Sequence, residues 1–236
     1  PAHPAARRTG ARRRRLTPGG ARGQVPAMVG RIIETEACIA EGSAWLAARE
    51  PRFAHALELS GPPPLRRRED GFRALLNAIV SQQISGAAAA GIWKRVEAAG
   101  ATDPAVLRAM DDEALRACGL SRPKMRYARA LAEAALDYPA LRTLPDEAAI
   151  DALVALPGIG RWTAEIYLLF SLGRADVFAP ADLALQESAR LLFELPARPA
   201  PRPFAEMARA WSPWRGVAAR LLWAYYRVAK DREGVT

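Results

Sequence analysis

The sequence predicts an all-α fold. Ala, Leu and Arg dominate its 236 residues and β-branched residues are sparse, a composition that favours helices. After Met28, apolar residues recur at helical spacing, and no segment alternates as a half-buried strand would. Short breaks rich in Gly and Pro separate these segments. The length allows one large domain or two small lobes with a substantial core.

Each helix of the first half is predicted from apolar spacing together with a start or stop signal. Phe72, Leu75 and Ile79 illustrate the apolar spacing. Gly100 can end the helix expected at residues 85–99. Pro104 marks a helix start because proline fits the first turn. The three prolines at 62–64 predict a linker. The expected helices lie at residues 32–48, 70–81, 85–99, from 104, 111–119 and 122–137.

The second half continues in the same pattern. A tight turn is expected at Pro157-Gly158-Ile159-Gly160, and a proline-rich break at residues 196–203. The expected helices lie at residues 145–156, 161–172, 182–195, 204–211 and 214–229.

Positive charge is concentrated at the N-terminal end. Residues 1–27 carry seven arginines and no acidic residue, and thus hold seven of the nine net positive charges. Either this segment is a basic arm that binds phosphate, or it is a disordered tail ahead of an effective start at Met28. We expect a basic, disordered tail at 1–27 and a helical domain at 28–236.

The sequence gives no support to several classes of protein. Cys38 and Cys118 lie far apart and so do His3 and His55, which argues against a zinc site, a disulfide framework or a histidine-based triad. The longest uncharged run, residues 74–93, is too polar for a membrane span. We therefore expect a reduced, cytoplasmic protein with no membrane association.

The most informative segment is the hairpin at residues 156–164, with the sequence LPGIGRWTA. Glycines two apart permit positive φ and close approach of a phosphate, toward which the second helix directs its free N–H groups. Such a turn attaches DNA without reading its sequence. A plain helix connection with a glycine cap is the alternative for a bare Gly-x-Gly.

The full string resembles the hairpin of the helix-hairpin-helix DNA glycosylase superfamily, most closely its bacterial 3-methyladenine DNA glycosylase II type. Further matches are NAIVSQQIS at residues 77–85, CGLSRPK at 118–124 and WSPWR at 211–215. The resemblance implies two helical lobes with DNA in the cleft between them. The space before Phe72 is short and helical, so we expect no β-rich N-terminal domain.

The resemblance makes Asp182, after the sequence VFAPA, the catalytic carboxylate. A carboxylate near the sugar stabilises the positive charge that develops when an N-glycosidic bond breaks. Considered alone, Asp182 could simply cap a helix. The implied activity is removal of alkylated bases such as 3-methyladenine and 7-methylguanine from double-stranded DNA during base excision repair.

Three aromatic residues are candidates for the base pocket, namely Trp162, Trp223 and Tyr167. Electron-poor methylated purines stack well on indole, although tryptophans in helices are more often core residues. Trp162 also stands where strand-cutting relatives carry a lysine nucleophile, so we expect no lyase activity. No cysteine follows Cys118, which excludes the C-terminal iron–sulfur cluster of other relatives.

The DNA contacts implied by the resemblance fall on the hairpin and on a glutamine pair. Gln83 takes the position of the wedge that fills the gap left by a flipped base, although two glutamines could also cap helix ends. The carbonyl groups of Leu156 and Ile159 are expected to hold a sodium or potassium ion, and no organic cofactor is expected. The predicted DNA-binding residues are Gly158, Ile159, Gly160, Arg161, Thr163, Gln82 and Gln83.

Two other functions stay open at this stage. One is a glycosylase for another lesion, such as oxidised guanine or mismatched thymine. The other is a non-catalytic DNA-binding module, which would need the hairpin but not Asp182 or the tryptophans. We expect a monomer that acts on the bacterial nucleoid.

Overall fold

The computed structural model describes residues 29–233, and it confirms the all-α prediction over that range. The basic segment at 1–27 lies outside the described residues. The one β pairing among them is an isolated bridge between Ile32 and Arg174. The helices are α1 Glu36–Arg49, α2 Pro51–Ser60, α3 Phe72–Ser81, α4 Gly86–Ala98, α5 Pro104–Ala109, α6 Asp112–Ala117, α7 Arg122–Glu133, α8 Tyr138–Thr143, α9 Asp146–Val154, α10 Arg161–Tyr167, α11 Leu183–Leu192, α12 Pro201–Met207 and α13 Arg215–Glu233.

The helices form two lobes, as predicted. In the terminal lobe, α1 and α2 from the beginning of the chain pack against α13, which also packs against α11. In the central lobe, α3 packs against α4, α7 and α10, and α7 also contacts α5 and α6. A π-helical turn, Leu168–Leu172, extends α10 and leads the chain back to the terminal lobe. The hairpin therefore belongs to the central lobe, whereas α11 and α13 belong to the terminal one.

An aromatic cluster forms the centre of the terminal lobe. The Trp211 ring lies between 5.2 and 6.0 Å from the ring centroids of Phe53, Phe178, Phe193 and Phe204. All five rings are buried. Most of these contacts are edge-on, the arrangement that aromatic quadrupoles favour. The cluster fixes the chain just before α11, where the predicted catalytic residue lies.

Two helices are missing from the sequence prediction. The sequence prediction ends the first helix at 48, before Glu50-Pro51, and has no helix until 70, yet Pro51 begins α2, because Glu50 caps it by accepting a hydrogen bond from the Arg52 N–H at 3.2 Å. The predicted helix at 122–137 ends at Glu133, and a separate helix, α8, follows Asp137. Pro51 therefore marks the start of a helix rather than a break after the first one.

Other boundaries shift by a few residues. The first helix begins at Glu36 rather than 32, because Ile33 donates a backbone hydrogen bond to the Gly173 carbonyl instead. The proline-rich break ends at residue 200, since α12 starts at Pro201. A 3-10 turn, Ala208–Trp211, completes that segment. No helix among residues 29–233 is long and apolar enough to cross a membrane.

Candidate active site

The hairpin turn between α9 and α10 depends on one glycine. Gly158 has a φ of +88°, and a Cβ atom there would lie 2.3 Å from Cγ of Tyr127. An L-residue is therefore excluded both by backbone conformation and by space. Gly160 has an extended conformation and no atom within 4 Å of its Cβ position. Only the first glycine is structurally required, and the second leaves the start of α10 open.

The predicted DNA-binding residues of the hairpin present mainly backbone. Ile159 is buried and its side chain anchors the turn. Arg161 donates to Glu165 at 2.9 Å and to Glu147 at 2.8 Å, so its guanidinium is already paired. The side chain of Thr163 is buried. What this segment offers a phosphate is thus the run of backbone amides at the turn and at the start of α10.

One of these acidic partners has an unusual pKa. Burial of the Glu165 side chain, which is 3% exposed, raises its pKa to about 7 from the ordinary value of 4.5, against the opposing influence of Arg161. Glu147, by contrast, is exposed. The acid that fixes Arg161 from within α10 is therefore the one sensitive to pH near neutrality.

The two glutamines have different surroundings. The Gln82 side-chain amide donates to the Gly158 carbonyl at 2.8 Å, which joins the loop after α3 to the hairpin turn. Lys124 donates to the Val80 carbonyl at 2.7 Å and supports the end of the same helix. Gln83 is exposed and has a φ of +58°. Gln82 thus joins two parts of the protein, and of the two glutamines only Gln83 is exposed.

Asp182 accepts hydrogen bonds on both carboxylate oxygens. Oδ1 accepts from the Leu185 backbone N–H at 2.9 Å and from the indole Nε1 of Trp223 at 3.2 Å. Oδ2 accepts from Nε1 of Trp162 at 2.9 Å. Asp182 therefore caps α11 and contacts both tryptophans at the same time. The structure brings these three predicted site residues to one point, where α10, α11 and α13 meet.

Asp176, the last carboxylate before Asp182 in the sequence, has a structural role. It accepts from Arg215 at 2.9 Å on each oxygen and from the Ser212 hydroxyl at 2.8 Å. This paired arrangement joins the segment before α11 to the start of α13.

A cavity of about 420 Å³ opens beside Trp162. Trp162 is 45% exposed, whereas Tyr167 is 4% exposed and its hydroxyl accepts from the Gly71 N–H at 2.8 Å. Burial raises the pKa of Tyr167 to about 12. Tyr167 thus forms the floor of the cavity as a core residue. The other walls include Asn77, Ser81, Trp93, Ile166, Arg68 and Arg73.

Trp223 lies outside that cavity. Its ring packs on Phe170, with ring centroids 5.6 Å apart, and it lines a separate small cleft. Of the three predicted pocket aromatics, Trp162 and Tyr167 line the cavity, and only Trp162 is substantially exposed. The sequence prediction misses Trp93 and Asn77, because these walls arise from the packing of α3 and α4, which periodicity within one helix does not show.

The hairpin also contains the two carbonyl groups expected to hold an alkali ion. The Leu156 carbonyl accepts the Ile159 N–H at 3.1 Å. A carbonyl oxygen has two lone pairs, so this bond leaves one acceptor site. Among the described residues, no cluster of three His, Cys, Asp or Glu side chains could hold a metal ion.

Comparison with known proteins identifies the fold. A family model described as the HhH-GPD superfamily of base excision DNA repair proteins matches residues 76–215. The chain belongs to this superfamily. The matched range contains Gln82, Gln83, the hairpin and Asp182, and it ends before Trp223.

Several proteins similar to this chain are named DNA-3-methyladenine glycosylases. DNA-3-methyladenine glycosylase 1 of Schizosaccharomyces pombe is 32% identical over 171 residues, which cover 69% of this chain and 75% of the relative. DNA-3-methyladenine glycosylase 2 of Escherichia coli is 32% identical over 168 residues, covering 65% of this chain and 57% of the relative.

Two solved structures have the same fold as this chain. The S. pombe 3-methyladenine DNA glycosylase in complex with abasic DNA superposes with a TM-score of 0.68 at 32% identity, covering 78% of this chain and 95% of that one. A DNA-3-methyladenine glycosidase from Bacillus halodurans gives a TM-score of 0.73 at 31% identity, covering 85% of this chain and 94% of that one. This HhH-GPD protein therefore has the fold of a DNA glycosylase.

Proposed function

We propose that this HhH-GPD protein is a monofunctional DNA glycosylase that excises alkylated purines. The observation that carries the proposal is the Asp182 carboxylate, fixed by two indole N–H groups beside a cavity with an exposed indole wall. Relatives named 3-methyladenine glycosylases, at about one-third identity, support the same substrate class.

Asp182 would act on the sugar rather than on the base. Cleavage of the N-glycosidic bond leaves positive charge on the deoxyribose, and a fixed carboxylate stabilises that charge as it develops. The three hydrogen bonds orient both oxygens before the substrate arrives, so little reorganisation is needed during the reaction. Water then completes hydrolysis and the product is an abasic site.

The cavity beside Trp162 would receive the flipped base. An exposed indole face stacks on any base and attracts a cationic one, such as 3-methyladenine or 7-methylguanine, by about 0.5–2 kcal/mol. Asn77 and Ser81 add amide and hydroxyl groups to the cavity wall. The base must leave the duplex to reach this site, and Gln83 would occupy the gap.

The hairpin would attach the DNA backbone through its amides. Gln82 lies in the same loop as Gln83 and donates a hydrogen bond to the Gly158 carbonyl. The proposed wedge is therefore joined directly to the turn that would bind phosphate. The carbonyl oxygens of Leu156 and Ile159 would hold a sodium or potassium ion, whose charge would favour a nearby phosphate. We propose that the protein acts as a monomer on double-stranded DNA.

We propose that the protein has no lyase activity, because none of its lysines lies at the site. The sequence has three, at 94, 124 and 230. Lys124 donates to the Val80 carbonyl, Lys94 is exposed on α4, and Lys230 lies over the Tyr226 ring. Lysine is absent from the described residues that line the Trp162 cavity. An amine nucleophile for a Schiff base is therefore not expected at the sugar.

The test is release of free bases from a panel of duplexes. One duplex type carries methylated purines, a second carries oxidised guanine, and a third carries mismatched thymine. We expect release of methylated purines only, with strands that stay intact until alkali cleaves them. Release confined to oxidised guanine or mismatched thymine would assign another lesion, and binding without any release would indicate a non-catalytic module.

A further inference from the structure

A group of arginines lies beside the active site, in the extended segment that joins α2 to α3. Arg66, Arg68 and, from α13, Arg227 are exposed, and we call these three the arginine rim. Within residues 29–230, no carboxylate forms a salt bridge with any of them. Most other arginines near the site, such as Arg161 and Arg215, are paired with acids.

The segment that carries the rim is fixed by buried contacts. The Arg68 backbone N–H donates to the Phe170 carbonyl at 2.9 Å, and its guanidinium lies 5.3 Å from the Phe170 ring centroid. Buried Arg220 lies over the same ring and donates to the Leu65 carbonyl at 3.5 Å. Arg66 has a φ of +49°, an uncommon conformation for arginine. These contacts fix the backbone that carries Arg66 and Arg68, and they place the Arg68 guanidinium near the Phe170 ring.

The rim has a strongly positive environment. Burial, together with the charges of Arg67 and Arg66, lowers the pKa of Arg220 to about 10. Arg67 is also exposed, but its guanidinium lies against Gly173 rather than lining either cavity, so it is not counted in the rim and adds only charge to it. An anionic ligand would relieve this mutual repulsion.

The rim flanks Asp182 through both tryptophans. Arg66 and Arg227 line the cleft of Trp223, whose Nε1 reaches Asp182. Arg68 lines the cavity of Trp162, whose Nε1 reaches the other carboxylate oxygen. The cleft beside the hairpin, which includes Gln83 and Gly160, shares no lining residue with the Trp223 cleft. None of the three rim residues lines the hairpin cleft, although Gln82 lines both that cleft and the Trp162 cavity.

We propose that the arginine rim is a second phosphate-binding surface, which holds the DNA backbone next to the flipped nucleotide. Guanidinium groups bind phosphate oxygens with paired N–H donors, and duplex DNA presents about one phosphate charge per 1.7 Å. Bound phosphates would also neutralise Arg68, which would otherwise repel a cationic base at the mouth of the Trp162 cavity. The proposal rests on the proposed function only in taking DNA as the substrate.

The experiment measures binding of the full chain to an undamaged duplex over a salt series. The test variant is Arg66→Gln with Arg68→Gln. The control is Arg49→Gln with Arg202→Gln, which removes the same charge from exposed arginines on α1 and α12. Log affinity falls with log salt, and each phosphate contact adds about 0.9 to the steepness of that fall. The test variant, which lacks two such contacts, should therefore have a slope shallower by about 1.8.

Between about 50 and about 200 mM salt, the wild type should then lose about 12-fold more affinity than the test variant. Arg227→Gln alone should lower the slope by about 0.9, and the control should leave it unchanged. A wild-type slope in both rim variants, or an equal loss in the control, would overturn the proposal. The assay needs no base release, so it gives a result even if the excision of alkylated bases is refuted.

Discussion

The indole N–H of Trp162 should contribute to the reaction by orienting Asp182, separately from any stacking on the base. Trp162→Phe keeps an aromatic face but removes the 2.9 Å hydrogen bond to Oδ2. A hydrogen bond to a charged group contributes about 1.5–3 kcal/mol. Because Trp162 is 45% exposed, water can replace part of this contact, so we expect the lower end. About 1.5 kcal/mol corresponds to about a tenfold lower rate of base release.

The assay is single-turnover release at saturating enzyme, on 7-methylguanine and on neutral hypoxanthine. Trp162→Phe should slow both to the same extent, because the lost contact is to the carboxylate. Trp162→Ala should add a further loss, up to about tenfold larger for the cationic lesion, because the indole face is also gone.

The matched control is Trp93→Phe, in the same cavity but without a hydrogen bond to Asp182. It should release both bases within about twofold of the wild-type rate, since ring stacking survives. Wild-type release by Trp162→Phe, or an equal loss in the control, would refute a positioning role for the indole N–H.

The remaining predictions concern the hairpin, a buried acid and the chemistry. Gly158→Ala should lower the melting temperature by about 4 °C or more, because it meets Tyr127 at positive φ, whereas Gly160→Ala should change it by less than about 2 °C; equal shifts would contradict the assigned roles. Glu165 stays protonated in the folded state up to about pH 7 but ionises near its ordinary 4.5 when unfolded, so its contribution to the free energy of unfolding falls as pH rises through that window. Denaturant titrations should show Glu165→Gln gaining on the order of 3 kcal/mol relative to wild type between about pH 4.5 and about pH 7; a constant difference would count against the burial effect. Borohydride added during reaction on methylated DNA should trap no covalent adduct, and a substantial yield would point to an amine such as Lys124.

Local signals predicted the helices well, and failed where one residue type has two uses. The start signals at Asp103 and Asp111 hold, since both side chains accept capping hydrogen bonds. Proline at 51 was misread because it serves equally at the end of one helix and the start of the next. The residue before it, Glu50, decided the outcome through its own capping bond, which spacing alone does not reveal.

The site was predictable at its centre and less so at its walls. Asp182, Trp162 and Trp223 were all named from the sequence, and both indole N–H groups donate to the Asp182 carboxylate, although Trp223 lies outside the cavity that Trp162 lines. The sequence did not reveal that Gln82 faces inward to the Gly158 carbonyl, a contact between residues 76 positions apart. Nor did it show that Arg161 donates hydrogen bonds to Glu147 and Glu165. Such pairings depend on how helices pack.

The central claim is that Asp182 stabilises the cleavage of the glycosidic bond. The direct measurement is single-turnover release of methylated purines by Asp182→Asn, compared with wild type and with Asp151→Asn, a control at an exposed aspartate on α9. We expect release by Asp182→Asn to be abolished while affinity for the duplex stays within a few-fold, because the phosphate contacts lie elsewhere. Asp151→Asn should release bases at the wild-type rate. Near-normal release by Asp182→Asn would contradict the assignment and remove this carboxylate from the mechanism.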